Sequence, residues 1–205
     1  MTKGKRRRGR SGRLLFVFLA VGLTFGSSLD FQDSFFTPTD PPSSRYLIDA
    51  RFDLEKGIVE GKESVILKNA SGRPVGVVAF DWSITSTSSL SLAAEGKTLA
   101  LINAEQGAPS TSPLFYRLPA PLEPGAEVEL DLTFAMSFRP PKEGGAFQST
   151  RWYPRLWWDG LPQHDAFSVK LDIPKDWALA ASGRLNKAAG RYEAEAARTF
   201  GVYLA

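Results

Sequence analysis

One histidine and no cysteine in 205 residues set the first limit on what this chain can do. A catalytic zinc takes three protein ligands, mainly from His, Asp, Glu and Cys, and leaves one position open for solvent. His164 alone, with no thiolate, does not supply that set. A site made only of carboxylates would suit calcium or magnesium, but no acidic loop carries glycine at an EF-hand spacing. His164 precedes Asp165, yet neighbours on a strand point to opposite faces, and no Gly-x-Ser-x-Gly turn presents a nucleophile. It reads as a loop histidine ahead of a strand. Glu127, Glu129 and Asp131 recur at intervals of two, the arrangement of paired carboxylates for acid–base work. They alternate with apolar residues, so they read as the solvated face of a strand. No phosphate-cradling glycine loop or dinucleotide fingerprint occurs. The residues thus give no catalytic group and no metal ligand, and no cofactor is expected in this chain.

Aromatic side chains are the remaining candidates. Trp152, Tyr153, Trp157 and Trp158 crowd a proline-containing turn region just before an alternating strand. Large amphipathic rings near a turn are enriched at binding surfaces, and they serve equally as a contact face between domains. The sequence leaves both readings open, a partner surface or an interdomain surface.

The elements that hold these residues are strands. Tyr46, Ile48, Ala50, Phe52 and Leu54 alternate with Leu47, Asp49, Arg51 and Asp53, the period of a strand with one buried face. Lys56-Gly57 makes a turn, and Ile58 to Asn69 returns, with Val65 and Leu67 on one face and Glu60, Lys62, Ser64 and Lys68 on the other. Further strands are expected at Gly76 to Ile84, Leu90 to Leu92, Thr98 to Ile102, Glu127 to Phe138, Phe167 to Ile173, Ala178 to Leu185 and Arg198 to Ala205, with a loop at Asn103 to Pro113. Asn69-Ala-Ser71 is a glycosylation sequon whose ordinary role is a turn. With no helical period beyond the N-terminal segment, the fold class is mainly β: an antiparallel β-sandwich or curved, saddle-like sheets.

Charge divides the chain. Lys3, Lys5, Arg6, Arg7, Arg8, Arg10 and Arg13 are seven of the 25 cations, which leaves 18 against 22 acids elsewhere. A nucleic-acid-binding domain would carry its cations on the folded surface, so no nucleic-acid partner is expected. The cations precede an apolar run from Leu14 to Phe25 and the small residues Gly26-Ser27-Ser28. That order is an export signal at residues 1–28, read as a cleaved signal peptide or as a retained anchor that tethers the chain to a membrane. A periplasmic, cell-surface or secreted location follows. Residues 29–44 carry Pro38, Pro41 and Pro42 among Ser, Thr and Asp and read as a linker. Residues 45–205 form the folded domain. Their last strand, Thr199 to Ala205, ends on apolar residues, from which the chain is expected to be truncated at its C-terminus.

The order of motifs resembles the N-terminal β-domain of the M1 family of zinc aminopeptidases. The likeness runs through Tyr46, Ile48, Phe52 and Leu54 on the first strand and Asn69-Ala-Ser71 after the second. It continues through Phe80-Asp-Trp82, Leu118-Pro-Ala-Pro-Leu-Glu-Pro-Gly125 before the long strand, and Trp152-Tyr-Pro154 to Pro174. The resemblance implies a noncatalytic domain that packs against a catalytic domain and helps to shape the cleft for the peptide N-terminus. In the family, zinc is held by a His-Glu-x-x-His helix and a later Glu of that catalytic domain, so zinc belongs to full-length relatives, and peptide substrate to the full enzyme. The partner implied is the missing catalytic domain or a separate chain carrying it. The family also places a Gln or Glu near the free amino group of the substrate, which corresponds here to Gln148. The family's Ala is Thr150, however, and the spacing from Arg151 to Pro154 is one shorter. An ordinary loop glutamine is the other reading. The alternative for the whole chain is a standalone exported β-sandwich that binds a peptide or protein partner through the Trp152 to Trp158 face.

Overall fold

A computed structural model describes residues 44–82, 88–102, 113–157 and 164–205, all within one compact unit, Phe31–Ala205. The expected loop at Asn103 to Pro113, apart from Pro113 itself, the segments at 1–28 and 29–43, and Trp158 lie outside these residues. Among the described residues no helix is long and apolar enough to cross a membrane.

The described chain is all strand and turn. A large sheet runs in the order β12 (Arg184–Asn186), β13 (Arg191–Ala197), β10 (Asp165–Asp172), β1 (Ser44–Asp53), β2 (Ile58–Lys68), β7 (Glu127–Ser137), β4 (Ser88–Ala94) and β5 (Lys97–Thr98). Two three-stranded sheets complete the fold. One is β11 (Leu179–Ala181), β14 (Val202–Leu204) and β8 (Phe147–Ser149), and the other is β6 (Leu114–Leu122), β3 (Val75–Asp81) and β9 (Arg155–Leu156).

The expected alternation sets the faces of the large sheet. On β1, Tyr46, Ile48, Ala50 and Phe52 are buried while Arg45, Leu47, Asp49 and Arg51 are exposed. Val59, Val65 and Leu67 of β2 and Leu130, Leu132 and Phe134 of β7 continue the same inner face. Glu127, Glu129 and Asp131 are exposed, as their spacing requires. The inner face packs on residues of the small sheets, among them Val78, Phe80, Leu114, Val202 and Leu204, in one hydrophobic core. Each fully buried large apolar side chain there contributes about 1.5–3 kcal/mol.

Several expectations need correction. The large sheet is not wholly antiparallel, because β1 and β10 run parallel, Arg45 opposite Ala166 through Arg51 opposite Asp172. These two strands are joined only through the rest of the domain, a connection long enough to allow parallel pairing. The stretch Thr98 to Ile102 is strand only through Thr98, with a single further bridge from Leu101 to Tyr116. Ala178 to Leu185 divides into β11 and β12, which join different sheets on either side of Gly183. The last strand is confined to Val202–Leu204, while Arg191–Ala197, not expected as a strand, pairs with β10.

Two local devices close the turns. Gly57 has φ of +65°, and a Cβ there would strike the Phe138 carbonyl, whose own N–H donates to the Gly57 oxygen at 2.7 Å. Only glycine meets both conditions. Asn69, fully buried, donates its amide to the carbonyls of Arg73 at 2.9 Å and Leu122 at 2.7 Å. Its own side-chain oxygen accepts from the backbone N–H and the hydroxyl of Ser71 at 2.9 and 2.7 Å. The sequon is therefore a turn built around the asparagine, with the amide fully engaged.

Candidate functional site

The aromatic-rich segment crosses from one small sheet to the other. Its first part, β8, pairs with β14, placing Gln148 opposite Tyr203. Its last part, β9, pairs with β3, placing Leu156 opposite Phe80 and Arg155 opposite Asp81. Between them the chain turns its rings inward. We refer to residues 152–157 as the clasp.

Here the structure overturns an expectation. Trp152 and Tyr153 form no surface: they are 0% and 1% exposed and belong to the core. Trp152 lies 5.5 Å from the Phe52 ring, 4.9 Å from Tyr153 and 6.3 Å from Phe200. The physical reason is that each ring's polar atom finds a buried backbone partner. The Trp152 indole Nε1–H donates to the Phe200 carbonyl at 2.9 Å, and the Tyr153 hydroxyl accepts the Phe200 N–H at 3.0 Å. With those partners the rings can be buried at no polar cost. Trp157 is half-buried, its ring edge-on to Phe115 at 6.2 Å, and Trp158 lies outside the described residues.

Gln148 is exposed in the middle of β8, so it is a strand residue and not a loop residue. Phe147 beside it points inward, 4.3 Å from Phe138 and 5.7 Å from Phe52. The alternation leaves Gln148 and Tyr203, 44% exposed, side by side on the outer face of the small sheet. Cations lie further along the segment. Arg155 donates to Asp81 Oδ2 at 2.9 Å, and the largely exposed Arg151 reaches the same oxygen at 3.9 Å. Gln148 and Arg151 are thus exposed, while Trp152 and Tyr153 between Arg151 and the next small sheet are buried.

The inner face of the large sheet holds a polar group that the sequence did not single out. Glu63 is 2% exposed, on the inner face of β2 between Val59 and Val65, and neither carboxylate oxygen has a hydrogen-bond partner. Burial holds its carboxyl well above the usual carboxylate range. Asp165, also 2% exposed, accepts the Ser44 N–H at 3.3 Å, and burial pushes its carboxyl up to about 7. A signal for both was present, since each falls in phase with the apolar residues of its strand. His164 next to Asp165 is exposed, with Nδ1 3.3 Å from the Ala196 carbonyl.

The outer face of the large sheet carries a concavity of about 460 Å³, with Asp49, Arg51, Glu60, Lys62, Lys170 and Asp172 among its walls. Charges of both signs alternate there, and Arg51 lies 3.8 Å from Asp172. Among the described residues no three His, Asp or Glu side chains are grouped to hold a metal ion, so these residues do not fit a zinc centre.

The sequence matches no family model and no curated protein. The fold does have counterparts. An M1 zinc metallopeptidase from Deinococcus radiodurans, in a mutant form bound to a Tyr-Ser-Ala substrate, aligns at TM-score 0.55 and 16% identity, over 84% of this chain and 45% of that one. A second structure of the M1 zinc metallopeptidase from Deinococcus radiodurans aligns at 0.52 and 16%, over 80% and 41%. A two-domain M1 zinc metallopeptidase bound to L-tryptophan aligns at 0.52 and 17%, over 84% and 45%. The chain spans less than half the length of each of these structures, and at these identities the likeness is one of fold.

Proposed function

We propose that residues 45–205 are the noncatalytic N-terminal β-domain of an exported, M1-like zinc metallo-aminopeptidase. The observation that carries this reading is the asymmetry of coverage: 84% of this chain aligns with only 45% of an M1 zinc metallopeptidase. The order of the Asn69, Phe80-Asp-Trp82, Pro124-Gly125 and Trp152-Tyr-Pro154 motifs supports the same assignment. In this reading a catalytic domain, on the same polypeptide or a partner chain, supplies the zinc ligands and the hydrolytic chemistry. This domain supplies a rigid wall for the peptide N-terminus, with Gln148 held at a fixed height by its strand. Residues 1–28 direct export, as a cleaved signal or a retained anchor.

The standalone binding-module reading rested on the aromatic face. Burial of Trp152 and Tyr153 removes two of its four rings from a partner surface and from an interdomain surface alike, and it is the fold likeness that supports the peptidase-domain reading ahead of the standalone module.

The deciding experiment is to sequence the source locus through and beyond codon 205 in all frames. A His-Glu-x-x-His segment with a later Glu, downstream or on a chain that co-purifies with this one, sustains the reading, and its absence from both overturns it. Expression of the chain with and without that downstream segment then assigns the activity. Release of the N-terminal residue from an aminoacyl anilide should need the downstream segment.

A further inference from the structure

A carboxyl group without hydrogen-bond partners inside a core is costly whether it is charged or neutral, and far more so when charged. Glu63 is such a group. Across β1 it faces Ile48, with Tyr46 on the adjoining diagonal, and across β7 it faces Leu132. Tyr46 carries the contact on to the clasp, its ring edge-on to Tyr153 at 6.1 Å. Burial first, and then Asp165 and Glu63, hold the Tyr46 hydroxyl well above its ordinary range. Arg155, the charged clasp residue, acts on Asp165 and Tyr153 and is itself bonded to Asp81 of β3. Among the described residues no cation compensates Glu63.

The same tyrosines hold the clasp shut. The Tyr46 hydroxyl accepts the Leu156 N–H at 3.1 Å, and the Tyr153 hydroxyl accepts the Phe200 N–H at 3.0 Å. We propose that Glu63 is the proton-operated element of a latch: while it carries its proton the clasp closes over the large sheet, and loss of that proton opens the clasp. The inference stands on the cluster itself and does not depend on the peptidase reading.

The direction follows from linkage. In the closed form Glu63 keeps its proton, whereas in an opened clasp water reaches it and its carboxyl returns to the ordinary value of an exposed glutamate. Stability of the closed form is complete below that value and falls as pH rises. The opening equilibrium increases about tenfold per pH unit until Glu63 ionises in the closed form.

The test is hydrogen exchange of the Leu156 and Phe200 amides in the full chain from pH 5 to 8, corrected for intrinsic rates. The wild type should show the rise, and Glu63→Gln should remove about one decade per pH unit of it. Asp165→Asn should leave the Glu63 share intact. Glu63→Leu, which replaces the carboxyl with apolar volume, should fold at least as well and show the same loss of slope. An unchanged slope in the Glu63 variants overturns the proposal. So does an identical slope at amides throughout β2 and β7, which would mean global unfolding and no latch.

Discussion

The hydroxyl of Tyr46 on β1 accepts the backbone N–H of Leu156, 110 residues later in the chain, at a distance of 3.1 Å. Tyr46 also stacks on Phe167 at 4.8 Å and meets Tyr153 edge-on at 6.1 Å. One side chain of the large sheet thus fixes the height at which the clasp crosses the core. Tyr46→Phe preserves the ring contacts and leaves the buried Leu156 N–H unsatisfied, at a cost of about 1–3 kcal/mol. Urea denaturation should show that loss with little change in the slope of the transition.

Trp152 and Gln148 lie four residues apart and should behave as opposites. Trp152→Ala empties a fully buried ring site and should cost about 3–5 kcal/mol. Gln148→Ala, on an exposed strand position, should stay within about 0.5 kcal/mol. Thermal melts of the two variants decide this. A large loss at Gln148 would mean that it serves the fold and not a ligand.

Asp165 gives a pH dependence of definite sign. Burial raises its carboxyl from the ordinary range to about 7, so the folded form binds the proton more tightly than the unfolded chain. Its contribution is complete below about 4 and is lost as pH rises to about 7. Compared with the wild type, Asp165→Asn should flatten the fall in stability between pH 4.5 and 7.5, measured by chemical denaturation at each pH.

Arg191 ties three strands of the large sheet together. From β13 its guanidinium donates to Asp49 Oδ1 at 2.6 Å, to the Ile48 carbonyl at 3.0 Å and to the Ser168 carbonyl at 2.9 Å. Nε adds a bond to the Ser168 hydroxyl at 2.8 Å. A lysine cannot reproduce this planar fork. Arg191→Lys should cost about 1–3 kcal/mol, and native-state exchange should place the loss at β13 and β10 ahead of β2 and β7.

The strands with one wet face were legible from alternation alone. On β1 and β7 the apolar period of two predicted which side chains are buried, because a half-covered sheet imposes that period whatever packs on it. Short strands were harder to read. β8, β9 and β11 have two or three residues each, too few for a period to show, and they exist because neighbouring strands satisfy their backbone groups. Asp165 and Glu63 also kept the period, but an acid in an apolar phase marks a buried group only once the covering layer is known.

By itself, then, the sequence determined a cysteine-free β-domain, its longest strands and their buried faces, the N-terminal charge asymmetry, and a set of residues too poor in histidine for a zinc centre. The tertiary structure decided that β1 and β10 lie parallel, that Glu63 is enclosed without a partner, and that Trp152 and Tyr153 are core and not surface. The reason is physical. An indole or a phenol suits either a wet surface or a dry interior, and the choice turned on the backbone of Phe200, a residue 48 positions from Trp152, whose carbonyl accepts from the indole and whose N–H donates to the phenol.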